Sequence, residues 1–393
     1  MSIELEKQDR VLNEVIGYKD ALLEKESLEK TGQDFSSQKG NVKKTVEKLH
    51  PKRLQLVLKE IRYETPSTST LIFSQKNNQN LPPFQAGQYI NLFVNIKGVF
   101  TARPYSISSS PILRDRYELT IKRAEGGFVS PYLLDEVKVG DEFESSGPMG
   151  SFHHNPLFHG DDLVFLAGGS GIAPAMSMLN TFRASQKDFH FHIIYSNSYE
   201  NDVIFMEELR KIALSEKRFT LTEFLSREAG PTYQGNRGRL TKDKLSALLD
   251  KPESKMYYIC GPTPFNENAI ELLTSLGVRT GRILIDGNGP PKNPETMPGW
   301  PSHATKGNKV TVKVGKGHSF QTEVGEPLLN SLERNGFSTE NACRSGECSL
   351  CRVRLVSGTV FSPSEAKIRK SDKKFGYIHS CVAFPTEDIS IEL

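Results

Sequence analysis

Three cysteines lie close together near the carboxyl end of the chain, in the stretch CRSGECSLC. They are Cys343, Cys348 and Cys351, and their spacing is C-x4-C-x2-C. The remaining two cysteines are Cys260 and Cys381, so the set lacks the even number and even spread of a disulfide framework. A loop that must bring three reduced thiols to one centre constrains the fold more than any other segment.

Two metal centres compete for this spacing. Structural zinc sites usually pair their cysteines as two C-x2-C knuckles, which hold the metal without a redox role. A C-x4-C-x2-C loop with one distant fourth cysteine is instead typical of a plant-type [2Fe–2S] cluster. The spacing therefore favours a redox cluster, with zinc or unligated structural cysteines as the alternatives. Its expected ligands are Cys343, Cys348, Cys351 and Cys381.

The surrounding segment, 308–393, resembles a plant-type ferredoxin domain of the β-grasp kind. It contains two strand-like runs, KVTVKV and HSFQTEV, then a helix-like run, PLLNSLERNG, the cysteine loop, and a last strand-like run, DISIEL. This order predicts a compact α+β unit. The resemblance implies that the four cysteines just named are the cluster ligands.

Two further modules are predicted upstream. Six short β-rich runs within 51–155, parted by Pro and Gly, predict an antiparallel β-barrel or sandwich. Strand-like and helix-like runs alternate within 156–288, which predicts a doubly wound α/β domain. The proline- and glycine-rich stretch 289–307 indicates an extended linker. The protein is therefore expected to be multidomain.

Residues 1–50 are rich in lysine and glutamate and are interpreted as a charged helical extension followed by a linker. One amphipathic helix is expected there, because apolar residues recur at near-helical spacing. Those residues are Leu12, Val15, Ile16, Leu22 and Leu23.

The cluster itself predicts a flavin. A [2Fe–2S] centre takes one electron at a time and a nicotinamide delivers two with its hydride, so a flavin is needed to split the pair. The run RPYSISSSP resembles the R-x-Y-S motif of the ferredoxin–NADP reductase superfamily. The resemblance implies that Arg103 meets the flavin phosphates, Tyr105 packs on the ring, and Ser106 reaches the ring nitrogen N5. An ordinary strand with a proline is the alternative interpretation.

A second flavin-binding segment is expected in GGFVSPYLLDEVKVGDEF, where glycines precede Ser130 at a predicted helix start. Free N–H groups there favour a pyrophosphate. The segment is similar to the superfamily's second flavin-binding segment and closer to members that bind FAD than to the FMN-binding reductase of the phthalate dioxygenase system. FAD is expected, with FMN as the alternative, and the expected contacts are Gly127, Val129 and Ser130.

The run VFLAGGSGIAP predicts a strand, a glycine-rich turn and a helix start, which bring the backbone close to a dinucleotide. It is not G-x-G-x-x-G but matches the superfamily's own turn at Gly168, Gly169, Gly171, Ile172, Ala173 and Pro174. Later, Cys260, Gly261 and Pro262 resemble the C-G-P beside the nicotinamide ring. The resemblance implies that Ser106 and Cys260 are catalytic. Cys260 taken alone is more typical of a small buried apolar residue than of a reactive thiol.

One position departs from the superfamily pattern. Its nicotinamide domain commonly ends in an E-x-F strand, whereas ILIDGNGPP has Asp286 and no aromatic residue. The sequence therefore leaves open what covers the flavin near Asp286.

The choice of nicotinamide rests on two runs. IIYSNSYEND offers no base for a 2′-phosphate, and its Glu200 and Asp202 would repel one, which favours NADH. FLSREAG places Ser226 and Arg227 where some NADPH-using relatives hold that phosphate. NADH is therefore expected, with measurable use of NADPH.

The module order is similar to that of oxygenase reductase components, such as those of the phthalate dioxygenase, phenylacetyl-CoA oxygenase and hybrid-cluster-protein systems. It implies an NAD(P)H-dependent reductase that passes electrons through flavin and cluster to a separate protein, an oxygenase or another metalloprotein. A non-catalytic electron-transfer subunit or a redox sensor is the alternative.

Location and partners follow from composition. No apolar run of about 18 residues could span a bilayer, and the first residues lack the pattern of a signal peptide. We therefore expect a cytoplasmic protein. A net charge of +3 gives no argument for a nucleic-acid partner.

Overall fold

The structure is a computed structural model. It describes residues 18–30, 53–185, 188–228, 230–231, 233–287, 289–337, 339–341, 343–346, 348–364 and 366–393. The chain divides into two compact units, Met1–Pro51 and Lys52–Leu393. In the first unit, helix α1 spans Tyr18–Lys30, and its Leu22 and Leu23 are exposed. Leu12, Val15 and Ile16, also expected on this helix, lie outside the described residues.

The second unit begins with an antiparallel sheet in the strand order β4-β3-β6-β1-β2-β5. One residue past β4, Ile107 bridges to Leu119 in β5, which closes the sheet into the expected barrel. Leu56, Leu58 and Phe73 are fully buried in its core. The elements are β1 (Leu54–Thr65), β2 (Thr68–Gln75), β3 (Tyr89–Ile96), β4 (Val99–Ser106), β5 (Tyr117–Lys122), α2 (Val129–Asp135) and β6 (Glu142–Ser145).

The next module is a parallel sheet in the strand order β10-β9-β8-β7-β11-β12. The strand order reverses between β7 and β11, and ligands of such sheets bind at the carboxyl ends of the strands at this switch point. The strands are β7 (Asp162–Gly168), β8 (His190–Tyr199), β9 (Phe219–Glu228), β10 (Asn236–Arg237), β11 (Met256–Cys260) and β12 (Ile283–Asp286). The helices are α3 (Ile172–Ala184), α4 (Met206–Ser215), α5 (Lys242–Leu248) and α6 (Thr263–Ser275).

The last module is a mixed sheet in the order β14-β13-β19-β15-β17, in which β13 and β19 run parallel. This is the expected α+β unit, and the cysteine loop connects α7 to β15. Two short strands, β16 and β18, pair separately. The elements are β13 (Lys309–Val314), β14 (His318–Glu323), α7 (Leu328–Arg334), β15 (Arg352–Ser357), β16 (Val360–Phe361), α8 (Lys370–Lys374), β17 (Tyr377–His379), β18 (Phe384–Pro385) and β19 (Ile389–Glu392).

The stretch expected to be an extended linker packs against the last module. The indole N–H of Trp300 donates to the carbonyl of Ala304 at 2.8 Å. The Trp300 ring meets Phe361 edge-on at 5.1 Å between centroids. Composition alone does not predict this anchoring.

Within the described part of the chain, no helix combines the length and the apolar character needed to cross a bilayer.

Candidate functional site

One cavity of about 300 Å³ is bounded by all three modules of the second unit. The barrel contributes the end of β4, the parallel sheet contributes the end of β12, and the last module contributes the cysteine loop. The lining side chains include Tyr89, Pro104, Ser106, Met149, Ile285, Asp286, Cys343, Ser345 and Cys348. Positions far apart in sequence thus meet where a flavin, a nicotinamide and a cluster would have to approach one another.

Asp286 is the meeting point of the two residues expected to be catalytic. Its Oδ2 accepts from Ser106 Oγ at 3.4 Å and from Cys260 Sγ at 3.7 Å. Ser106 comes from the barrel, and Cys260 and Asp286 come from the ends of β11 and β12, which pair in register. The sequence singled out Asp286 only as a departure from the E-x-F pattern, and its carboxylate faces the site.

The side chain of Arg103 is turned toward the last module. Its guanidinium donates to Thr101 Oγ1 at 2.7 Å and to the Ala102 carbonyl at 2.8 Å, and it lies 4.0 Å from the Glu333 carboxylate. Burial, helped by the nearby Arg344 cation, lowers the pKa of Arg103 to about 10. The guanidinium is thus partly desolvated, a setting in which an anionic phosphate would be bound strongly.

Tyr105 lies on β4 between Arg103 and Ser106. It packs against the barrel core, and burial raises the pKa of its hydroxyl. The phenol therefore stays neutral.

The second expected flavin segment forms a tight turn before α2. The Gly127 N–H donates to the Ala124 carbonyl at 3.0 Å, and the Ser130 hydroxyl accepts from the Ala124 N–H at 2.8 Å. A Cβ on Gly127 would lie 2.9 Å from Ala124 Cβ and O. Val129 is buried in the barrel core. The Ser130 hydroxyl therefore shapes the turn before α2.

A second cavity, of about 600 Å³, opens at the switch point of the parallel sheet. Gly168 and Gly169 line it, with Pro262 from the facing loop. A Cβ on Gly171 would lie 1.9 Å from the Cys260 carbonyl oxygen, so the two loops approach as closely as backbone allows. A Cβ on Gly261 would lie 2.5 Å from the Phe265 ring and 3.1 Å from Gly168 Cα. The other residues expected in this turn, Ile172, Ala173 and Pro174, are buried at the start of α3.

This cavity fits a nicotinamide dinucleotide. Its glycine-lined wall follows strand β7 at the expected position, and the buried Ser196 hydroxyl on that wall has no hydrogen-bond partner among the described residues. A buried hydroxyl of this kind needs a partner, which a bound ligand would supply.

The two residues expected at a 2′-phosphate have other contacts. Ser226 lines the cavity, and its hydroxyl donates to the Asn197 carbonyl at 3.2 Å. Arg227 is exposed, donates to the Tyr199 hydroxyl at 2.8 Å, and lies 5.6 Å from the centroid of that ring.

The acidic residues expected to repel a 2′-phosphate are also paired. Asp202 accepts from Thr65, Ser67 and Lys122 of the barrel at 2.6, 2.6 and 2.7 Å. Burial raises the pKa of Asp202, but these hydrogen bonds outweigh it and lower the pKa overall. Asp202 thus remains ionised beside the cavity.

The four cysteines of the last module come together as two pairs. Cys343 Sγ accepts from the backbone N–H groups of Ser345 and Cys348, both at 3.4 Å. A hydrogen bond from the Cys348 thiol, with these N–H groups, lowers the pKa of Cys343. In the second pair, Cys351 Sγ lies 3.2 Å from Cys381 Sγ.

This donor set fits a binuclear cluster. Two pairs of thiols are the arrangement that two irons require, with two protein ligands on each.

Three buried residues near the cluster loop had no role in the sequence analysis. Arg344 pairs with Glu333 and donates to Thr101 Oγ1 at 3.2 Å. The Thr101 hydroxyl donates to Glu333 at 3.0 Å. Arg344 and Thr101 each lie beside a motif residue, but their contact spans 243 positions, and no local pattern signals it.

Three family models match the chain. An oxidoreductase FAD-binding domain matches residues 55–154, an oxidoreductase NAD-binding domain matches 165–270, and a 2Fe-2S iron-sulfur cluster binding domain matches 312–386. The three matches follow one another along the chain in the same order as the three modules.

Curated relatives share this organisation. The glycine betaine monooxygenase reductase subunit of Pseudomonas aeruginosa is 30% identical over 79% of this chain and 87% of its own length. The NADH oxidoreductase HCR of Escherichia coli is 30% identical over 78% of this chain and 88% of its own. The ferredoxin reductase component of 3-ketosteroid-9-alpha-monooxygenase from Rhodococcus rhodochrous is 29% identical over 88% and 98%.

Among solved structures, phthalate dioxygenase reductase aligns with a TM-score of 0.64 at 21% identity. The alignment covers 87% of this chain and 98% of that one, so the three-module fold is shared from end to end.

Proposed function

Because the chain belongs to the family of reductases that join an FAD-binding, an NAD-binding and a [2Fe–2S] domain, we propose that it delivers electrons from NADH to an oxygenase component. The chain is an NAD(P)H oxidoreductase that uses FAD and a [2Fe–2S] cluster to reduce a protein acceptor. Relatives named for glycine betaine and 3-ketosteroid monooxygenases support an oxygenase as that acceptor.

The observation that carries the proposal is the cavity shared by the three modules. Ser106, Asp286 and Cys348 line one space, so groups held by the barrel, the parallel sheet and the last module would approach within it. When bound, the nicotinamide supplies a hydride, the flavin takes it and releases single electrons, and the cluster relays them. The protein has to hold the nicotinamide, the flavin and the cluster a short distance apart.

The side chains of the chain hold and orient these groups. Ser106 Oγ and Cys260 Sγ hold their protons toward Asp286 Oδ2, at the place where the two rings would meet. Tyr89 and Pro104 line the cavity beside Ser106. Arg103, Tyr105, Gly127, Val129 and Ser130 are assigned to the flavin. The residues assigned to the nicotinamide are Gly168, Gly169, Gly171, Ile172, Ala173, Pro174, Ser226, Arg227, Gly261 and Pro262.

Single-turnover kinetics test the proposal. The purified holoprotein is mixed with NADH without oxygen, and flavin bleaching and the reduced-cluster electron paramagnetic resonance signal are followed in time. We expect flavin reduction first and cluster reduction second, and steady turnover once cytochrome c is added as a one-electron acceptor. Flavin reduction without any reduced-cluster signal would contradict it.

A cytoplasmic location is part of the proposal. The thiols of the cluster loop must stay reduced to bind iron, and they do so most readily in a reducing compartment.

A further inference from the structure

The two thiol pairs of the cluster site are in different surroundings. Cys343 and Cys348 line the cavity shared with Ser106. Cys351 and Cys381 are only 2% and 1% exposed and lie in a small apolar cluster, against which Ala366 packs. Electrons would therefore enter beside the first pair, and the second pair offers a separate way out.

Basic residues surround the second pair. Arg352 directly follows Cys351 and pairs across the sheet with His379, two positions before Cys381. The Lys367 N–H donates to the Gly346 carbonyl at 3.1 Å, which holds the segment before α8 against the cysteine loop. We name this surface the basic collar, and it consists of Arg352, Lys367, Arg369, Lys370, Lys373 and Lys374.

The charge of the collar is concentrated. Residues 352–377 contain seven basic and two acidic residues, whereas the whole chain has a net charge of only +3. One of the two acids, Asp372, is 7% exposed and lies 3.4 Å from Arg352. Arg369, Lys370, Lys373 and Lys374 form no ion pair with any described residue. Arg352 is thus paired with Asp372 and Arg354 with Glu392, while Arg369, Lys370, Lys373 and Lys374 leave a local excess of positive charge.

Apolar side chains lie within the same surface. Leu350, between two cluster cysteines, is 45% exposed, and Phe375, at the end of α8, is 64% exposed. Exposed apolar groups bordered by charge are typical of protein–protein contact surfaces. A surface of lysines alone would bind any polyanion. The combination of basic and exposed apolar side chains favours a protein as the binding partner.

We propose that the basic collar is the docking surface for the electron acceptor, and that the acceptor presents an acidic patch beside its redox centre. This inference rests on the proposed function and adds the chemistry of the partner. Opposite charges would steer the acceptor to the surface beside Cys351 and Cys381.

Equilibrium binding to the oxidised holoprotein tests the docking surface without turnover. The probe is cytochrome b5, a small acidic haem protein, and cytochrome c is its basic counterpart. The collar variant is Lys373→Glu with Lys374→Glu. The matched control is Lys211→Glu with Lys217→Glu, two exposed lysines of the NAD-binding module. Titration calorimetry is run at low ionic strength and at about 0.15 M salt, where charges beyond about 8 Å are largely screened.

We expect cytochrome b5 to bind the wild type and the control alike, and to bind the collar variant about tenfold more weakly. Salt should weaken binding to the wild type more than to the collar variant. Equal affinity for collar and control variants, no binding to the wild type at low salt, or tighter binding of cytochrome c would overturn the proposal. So would collar-dependent binding to phosphatidylserine vesicles without binding of cytochrome b5, since the surface would then be a lipid site.

Failure of the docking surface is distinguishable from failure of the proposed function. NADH should reduce flavin and cluster at wild-type rates in the collar variant. If those reductions fail in the wild type, the proposed function is wrong whatever the binding data show.

Discussion

The Arg344 guanidinium of the cluster loop donates a hydrogen bond to the Thr101 hydroxyl of β4 at 3.2 Å. Arg344 also pairs with Glu333, and these three side chains are 5%, 2% and 7% exposed. Buried charges are tolerated only when their hydrogen bonds are satisfied. The network therefore joins the cluster loop to the strand that carries Arg103, Tyr105 and Ser106.

Thr101→Val is expected to slow electron transfer from flavin to cluster. The change keeps the shape of the side chain but removes the hydrogen-bond partner shared by Arg344, Arg103 and Glu333, at a cost of about 1–3 kcal/mol. Stopped-flow absorbance should show cluster reduction slowed more than flavin reduction by NADH. Thr120→Val, another buried threonine of the barrel, is the matched control. Equal cluster reduction in both variants would contradict this role.

Cys348→Ser and Cys381→Ser are each expected to abolish or severely perturb the [2Fe–2S] signal while flavin stays bound. The flavin and cluster modules have separate cores, so the loss of one group should not unfold the other module. Visible and electron paramagnetic resonance spectra measure the cluster, and Cys260→Ser should retain it. A normal cluster spectrum in both variants would rule out the assigned ligands.

The flavin released from the protein is expected to be FAD, as chromatography against FAD and FMN standards will show. Gly127→Ala should lower the ratio of flavin to protein, because its Cβ would press on Ala124 at 2.9 Å and open the turn. Gly281→Ala, whose Cβ would meet no atom within 4 Å, is the control. FMN alone, or full flavin retention in the Gly127 variant, would contradict this prediction.

NADH is expected to be the preferred donor, with measurable use of NADPH. Asp202 stays ionised beside the cavity. The Arg227 guanidinium donates to the Tyr199 hydroxyl, so a 2′-phosphate would have to draw Arg227 away from Tyr199. Arg227→Ala should alter kcat/KM for NADPH more than for NADH, with Lys217→Ala as control. If the wild-type kcat/KM is at least about tenfold higher with NADPH than with NADH, the ranking of the two donors is reversed. A tenfold ratio corresponds to a free-energy difference of about 1.4 kcal/mol.

The stability of the parallel-sheet module is expected to fall as the pH drops. Burial, helped by His190 and Lys255, lowers the pKa of His192 from 6.5 to about 4, against the opposing effect of Asp162. The unfolded chain takes up a proton below about pH 6.5 and the folded one does not, so stability present above that pH is lost progressively toward about pH 4. The full loss is on the order of 3 kcal/mol.

Urea unfolding, followed by far-ultraviolet circular dichroism, measures this effect. Between about pH 7 and pH 5, the wild type should lose about 2 kcal/mol more than His192→Gln, which has no titrating side chain there. The same pH dependence in both proteins would contradict it.

The modules and their order could be predicted from the sequence because each rests on a local pattern. The six β-rich runs each contain a strand of the barrel, and VFLAGGSGIAP forms β7, the glycine turn and the start of α3. The spacing of the cysteines likewise indicated a single loop with one distant fourth cysteine, and Cys381 lies in the turn after β17. Patterns of this kind are fixed by side-chain periodicity and turn chemistry.

Contacts between modules could not be predicted in this way. Ser106 meets Asp286 across 180 positions, and neither residue has a local pattern that indicates the other. Ser130 lies at the start of α2 as expected, but its hydroxyl accepts from the Ala124 N–H, a contact that no local pattern indicates. Tertiary packing decides which of a residue's possible hydrogen bonds is formed.

The anchored stretch before the last module gives this protein an internal optical reporter. Trp300 is the single tryptophan of the chain, and its ring rests on Phe361. Indole fluorescence therefore arises from one place, at the edge of the [2Fe–2S] domain, whereas flavin fluorescence arises from the barrel. Indole and flavin fluorescence, recorded at two wavelengths, can thus report the unfolding of the [2Fe–2S] domain and of the barrel in one sample without any label.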